Sequence, residues 1–176
     1  AYLLFPPPTP RLPGAVAQPK WLPGGGILTV AADRGEATLW IAGTPEEGRW
    51  IAEGPSMISW YSVDRAGLRA AVTSSGQSHP AEVTLINLET GLETQLTDFN
   101  QAFREEVEIL WAEKFPVATE SGTEVDCWLM QPQGFEEGKR YPVILNFHGG
   151  PFGQYGETFF DEFQIYAAAG YGVVFC

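Results

Sequence analysis

One stretch constrains the fold of this chain more than any other: Pro142-Val143-Ile144-Leu145-Asn146-Phe147-His148-Gly149-Gly150-Pro151. An apolar run of strand length climbs to a histidine and breaks at once into Gly-Gly-Pro. After Gln154-Tyr155-Gly156 the pattern turns helical, with Phe159, Phe160, Phe163, Tyr166 and Ala167 recurring at helical spacing up to Gly170. Thr158, with Asp161 three residues on, reads as its N-terminal cap, and Gly170 as its stop. Tyr171 to Cys176 is a second apolar run. Strand, helix and strand within roughly 30 residues make a βαβ unit. Its strands are expected to be parallel and buried, with the loop after His148 at their C-terminal edge, where open α/β sheets bind ligands. The run ending at Cys176 is expected to be an unpaired edge of that sheet.

Upstream, the pattern is different. Pro6, Pro7, Pro8, Pro10, Pro13 and Pro19 keep residues 1–19 irregular after a short strand, Tyr2 to Phe5. Residues 20–105 then alternate short strands and turns. Lys20-Trp21-Leu22-Pro23-Gly24-Gly25-Gly26 leads into strands at Ile27–Ala32, Ala37–Ala42 and Arg49–Glu53. Ser59-Trp60-Tyr61-Ser62-Val63 begins a similar unit, with strands at Leu68–Ser74, Ala81–Asn87 and Glu93–Thr97. Trp21 and Trp60 hold matching places 39 positions apart. A period of about 40 residues with several short strands is the mark of propeller blades. A β-sandwich with two similar tryptophan turns is the competing reading. Two blades close no ring, because propellers have about four to eight, so earlier blades are expected elsewhere in the protein.

Gln101 to Val107 reads as one or two helical turns between two units. Beyond it, Lys114–Thr119 and Glu124–Met130 flank the turn Glu120-Ser121-Gly122-Thr123 as a hairpin. The expected fold is therefore the C-terminal part of a β-propeller, residues 1–105, followed by the N-terminal part of an α/β-hydrolase domain, residues 106–176.

The net charge of −12 divides unevenly, with seven basic and eleven acidic residues through Glu105 and three and eleven after it. Neither part offers the basic stripe of a nucleic-acid binder. No apolar run approaches the roughly 20 residues of a membrane span, and the start of the chain lacks the features of a signal peptide. Cys127 and Cys176 are too few for a disulfide scaffold and form no CxxC pair. They read as reduced thiols in a cytoplasmic protein, without a metal site or cofactor. Six tryptophans suggest large core residues.

A glycine-rich loop after a strand has few chemical uses. Phosphate cradling is excluded, since neither GxGxxG nor GxxxxGK[ST] is present and Pro151 lacks an N–H. A plain tight turn and a backbone donor to an oxyanion both remain open. Neither His148 nor His79 completes a triad, there is no GxSxG, and no serine follows Ser121. His79, in Ser78-His79-Pro80, reads as a turn residue.

The run of Phe115, Ser121-Gly122-Thr123-Glu124, Trp128-Leu129, Pro132, Gly134-Phe135, Lys139-Arg140-Tyr141-Pro142, His148-Gly149-Gly150-Pro151, Gln154-Tyr155-Gly156, Phe163-Gln164 and Ala168-Ala169-Gly170-Tyr171 resembles the start of the catalytic domain of the prolyl oligopeptidase family, in its acylaminoacyl-peptidase branch. Gln95-Leu96-Thr97 resembles the end of the same family's propeller. The resemblance implies a serine peptidase acting on short peptides, on acylated or free N-termini or as an oligopeptidase. It implies a Ser-His-Asp triad downstream of Cys176 and no peptidase activity in these residues alone. It assigns the backbone N–H of Gly150 to the oxyanion hole. His148, Gly149 and Pro151 then shape the loop, and His148 is not the triad base. A carboxylesterase and a non-catalytic propeller that binds peptides are the alternatives; the blades speak against the first. Oligomeric state is left open, with a homo-oligomer as one outcome.

Overall fold

The computed structural model describes residues 18–43, 48–51, 54, 56–149 and 154–176. The expected strand Tyr2–Phe5, and Gly150 and Pro151 of the loop, lie outside these residues.

The described residues form two sheets. The first has eight strands: β1 Lys20–Trp21, β2 Ile27–Asp33, β3 Glu36–Ala42, β4 Gly48–Trp50, β5 Met57–Val63, β6 Arg69–Gly76, β7 His79–Asn87 and β8 Glu93–Gln95. β1 to β4 form one antiparallel meander and β5 to β8 another. A single parallel pair, Ala37 with Met57, links them. Period-two alternation gives each meander an apolar face. Leu28, Val30, Ala37 and Leu39 of the first pack with Ile58, Tyr61, Ala70, Val72 and Ile86 of the second in one buried core. The Tyr61 hydroxyl donates to the Leu28 carbonyl at 2.8 Å, and burial pushes its pKa up to about 12. The β2–β3 connection is a two-residue turn in which Arg34 and Gly35 both have positive φ, 48° and 87°. That is the twist-matched geometry of a tight hairpin.

The second sheet has β9 Ala112–Ala118, β10 Glu124–Met130, β11 Val143–Asn146 and β12 Gly172–Phe175, ordered β11-β12-β10-β9. β11 and β12 are parallel, as the βαβ pattern requires; the other pairs are antiparallel. Helix α1, Gln101–Glu106, precedes this sheet. Helix α2, Asp161–Ala168, connects β11 to β12. It buries Phe163 and Ala167 against Ala112, Trp128, Met130, Val173 and Phe175.

Several sequence expectations change. β12 lies inside the sheet, between β11 and β10, so the edge strands among the described residues are β11 and β9 rather than the run ending at Cys176. On the β11 edge Val143, Leu145 and Phe147 are exposed, not buried. The second helix begins at Asp161, and Thr158 does not cap it. The Thr158 hydroxyl is instead hydrogen-bonded to that of Ser75 in the first sheet, which holds this segment out of the helix. Trp128 is a core tryptophan, but Trp21, Trp60 and Trp111 are exposed. His79 starts β7 and does not sit in the turn.

The cysteines are the sharpest correction. They are joined as a disulfide, Cys127 to Cys176. The antiparallel register pairs Trp128 with Phe175 and so sets Cys127 opposite Cys176. The paired cysteines remove the argument that led to a reducing, cytoplasmic home. No helix among the described residues is long and apolar enough to cross a membrane.

Glu82 pins the passage out of the first sheet. Its side chain is buried within β7. It accepts from the Thr97 hydroxyl, the Phe99 N–H, and the backbone and side-chain N–H groups of Asn100. Burial alone would raise its pKa, but these donors outweigh that and hold it down at about 2, below the ordinary 4.5. A depressed folded-state pKa contributes stability that is complete above the unfolded value and is lost as pH falls through the folded one. Glu82→Gln is therefore expected to destabilise most at pH 7. Urea midpoints should show the gap to wild type narrowing from pH 4.5 towards pH 2; a gap independent of pH would contradict the charged clamp.

Candidate active site

The parallel pair Asn146 and Phe175 brings both strand ends to one edge of the second sheet, where the chain leaves β11 through Phe147, His148 and Gly149. A Cβ on Gly149 would meet nothing within 4 Å, so the backbone there is open to approach. His148 is exposed. Its Nδ1 lies 3.4 Å from the Gly149 carbonyl oxygen, and its ring stands edge-on to Tyr155 at 5.8 Å. Tyr155 also touches Phe160, Phe163 and Phe175. It thus ties the loop to the core under α2. Asn146, at the foot of the loop, has a buried Nδ2 without an acceptor among the described residues.

Among the described residues, no serine or cysteine is hydrogen-bonded to a histidine. Ser121 sits in the exposed β9–β10 turn with the hydroxyls of Thr119 and Thr123. His79 Nδ1 is 3.0 Å from the Pro80 carbonyl. The described residues therefore bring together a loop with an open backbone and, among themselves, no nucleophile–base pair.

The far side of the loop carries a polar junction that sequence reading missed. The Gln154 side chain donates to the Glu36 carbonyl at 3.4 Å. The Glu157 N–H donates to the Gly35 carbonyl at 2.8 Å. The Glu157 carboxylate, 8% exposed, accepts from Trp128 Nε1 at 2.8 Å and from Gln77 Nε2 at 2.7 Å. The Gln77 amide in turn brackets Ala112, accepting from its N–H at 2.7 Å and donating to its carbonyl at 3.1 Å. Burial, then the nearby Glu157 charge, raises the pKa of Glu36. No local signal marks this cluster, because Gln77 and Glu157 are 80 positions apart.

A cavity of about 470 Å³ opens beside the junction, lined by Asp33, Arg34, Glu36, Thr38 and Lys114 among others. Its cations are engaged: Arg34 and Lys114 both pair with Asp126, at 3.4 and 3.0 Å.

No family model matches the sequence. The uncharacterized peptidase YuxL of Bacillus subtilis is 37% identical over 166 residues, which cover 92% of this chain and 25% of that protein. The solved Pyrococcus horikoshii acylaminoacyl peptidase is 31% identical with a TM-score of 0.74, over 90% of this chain and 24% of its own. A solved acylaminoacyl peptidase in complex with Z-Gly-Gly-Phe-chloromethyl ketone is 29% identical with a TM-score of 0.75, over 92% and 26%. The chain spans about a quarter of the length of each of these proteins. Over nearly all of its length, then, this chain is a relative of peptidases and shares its fold with a quarter-length stretch of the acylaminoacyl peptidases.

Proposed function

We propose that this chain is part of a serine peptidase acting on short peptides, with its two sheets the last blades of a β-propeller and the first part of an α/β-hydrolase domain. The division falls near Glu105. The observation that carries the reading is the parallel pair β11–β12, with His148-Gly149 leaving at its C-terminal edge. Two four-stranded meanders beside that sheet favour a peptidase over a carboxylesterase. A peptide-derived chloromethyl ketone bound to a related acylaminoacyl peptidase favours peptide substrates.

In the proposed mechanism a serine beyond these residues attacks the scissile carbonyl while a histidine takes its proton. The tetrahedral oxyanion accepts a hydrogen bond from the Gly150 N–H, and the amine departs with the proton from the histidine. Such a donor strengthens as charge develops, so it lowers the barrier rather than the ground state. His148, Gly149 and Pro151 give the loop its shape.

A fluorophosphonate probe should label the intact protein and leave the 176-residue chain unlabelled. Labelling of the chain by itself would sink the claim that its nucleophile lies elsewhere. In the intact protein, Gly150→Ala should lower kcat by roughly tenfold or more with a smaller change in KM; a pure KM effect would count against the oxyanion role.

A further inference from the structure

We propose that the cavity at the end of the β2–β3 hairpin binds an organic cation: a guanidinium or primary ammonium on an apolar stem, as in an arginine or lysine side chain. The inference concerns binding and holds whether or not the peptidase reading does.

The site begins with the strand register. In the β2–β3 pair, Asp33 stands opposite Glu36 and Ala31 opposite Thr38. Residues directly opposite in an antiparallel pair point to the same side of the sheet. These four therefore share one face, while Leu28, Val30, Ala37 and Leu39 hold the other against the core. All four line the cavity, together with Trp50 of β4 and Lys114 of β9. Its volume of about 470 Å³ is in the usual range for small-molecule pockets.

Two independent observations point to a cationic ligand. The first is charge. Among the described residues, no hydrogen bond or ion pair reaches the carboxylates of Asp33 and Glu36. Like charges directly opposite each other in a sheet repel. The two nearby cations are turned elsewhere: Arg34 pairs with Asp126 and Glu124, and Lys114 with Asp126 and the Arg34 carbonyl. Burial first, and then Glu157, raise the pKa of Glu36, and Lys114 offsets only part of this.

The second observation is Thr38. Its side chain lines the cavity and the residue is 4% exposed, yet its hydroxyl has no hydrogen-bond partner among the described residues. A buried hydroxyl left without a partner carries a free-energy cost. A merely solvated hairpin end would expose this face, whereas Ala31 and Thr38 make a buried floor. Two carboxylates and a hydroxyl oxygen are acceptors matched to the several N–H donors of a guanidinium or ammonium. Trp50, its ring edge-on to Trp40 at 4.8 Å, gives the stem an apolar wall. A bare metal ion is poorly served, since no group of three or more His, Cys, Asp or Glu among the described residues could hold one.

Calorimetric titration of the intact protein tests this. Acetyl-arginine amide and acetyl-lysine amide each carry one cation and no charged terminus; acetyl-citrulline amide keeps the size of the first and removes the charge. Both cations should bind at least about tenfold more tightly than the citrulline compound. That preference should disappear in the double variant Asp33→Asn with Glu36→Gln, and Thr38→Val should weaken both cations roughly three- to tenfold. Neither carboxylate bonds to the rest of the described chain, so the double variant should unfold at a denaturant midpoint no lower than wild type. If it does not fold, Glu36→Gln alone is judged by the same preference. Glycine amide carries an ammonium without the stem and should bind several-fold more weakly than acetyl-lysine amide. Equal binding of those two would show a site for an amino terminus and overturn the side-chain assignment. Equal affinity for the arginine and citrulline compounds, no detectable binding of either cation, or a preference that survives the double variant overturns the proposal.

Discussion

Replacing Trp128 with alanine is expected to cost the fold roughly 3–5 kcal/mol, the range for emptying a buried aromatic site. Trp128 is 2% exposed and lies stacked on Phe175, with ring centroids 5.7 Å apart and planes 4° from parallel. Lys114 Nζ stands 5.2 Å from the ring. The indole edge also abuts Gly35 so closely that a side chain there would need the ring to move. Alanine would leave a void on the β10–β12 face and strand one oxygen of the Glu157 carboxylate in a buried place, and a buried acceptor without a donor adds its own penalty. Denaturant midpoints of the two proteins measure the loss. A change under about 1 kcal/mol would mean that the site collapses around the missing ring, as core sites with freer neighbours do.

The second large effect is on the disulfide. Cys127 and Cys176 close a loop with a sequence separation of 49, which in the chain-entropy view is worth about 4 kcal/mol through restriction of the unfolded ensemble. Unfolding with reductant present should therefore occur at markedly lower denaturant. The double variant Cys127→Ala with Cys176→Ala should unfold at one midpoint whether or not reductant is added. A wild-type midpoint indifferent to reductant would show that the link contributes nothing in solution.

What could be read in the sequence was whatever a short window determines. The run Val143 to Asn146, broken by glycines and followed by a helical period, was enough for a parallel pair, since a strand–helix–strand unit of that length has little else to do. The turn at Asp33-Arg34-Gly35-Glu36 and the hairpin around Gly122 were legible for the same reason. What failed depended on which strands become neighbours. The insertion of β12 between β11 and β10 made β11 an edge, bared Val143, Leu145 and Phe147, and brought Cys127 against Cys176. No local pattern encodes that order. Thr158 had the right spacing to cap a helix and was taken by Ser75, a residue 83 positions away. Glu82 and Glu157 look like solvated charges in the sequence. Both are buried because the donors that satisfy them arrive from elsewhere in the chain. The family resemblance, by contrast, drew on the order of motifs along the chain, and the relatives match over nearly all of its length.

One property of the Gly35–Gly156 approach reaches beyond packing. Among the described residues the two sheets share no strand, so no ladder of backbone hydrogen bonds there fixes how far one stands from the other. Two bare backbones in contact act as a mechanical stop: they set the closest distance, and any side chain added at either glycine would widen it. The helix Gln101–Glu106 and its flanking residues then serve as a tether whose length is not what sets the gap. The gauge of the space between the sheets is written in the absence of two methyl groups.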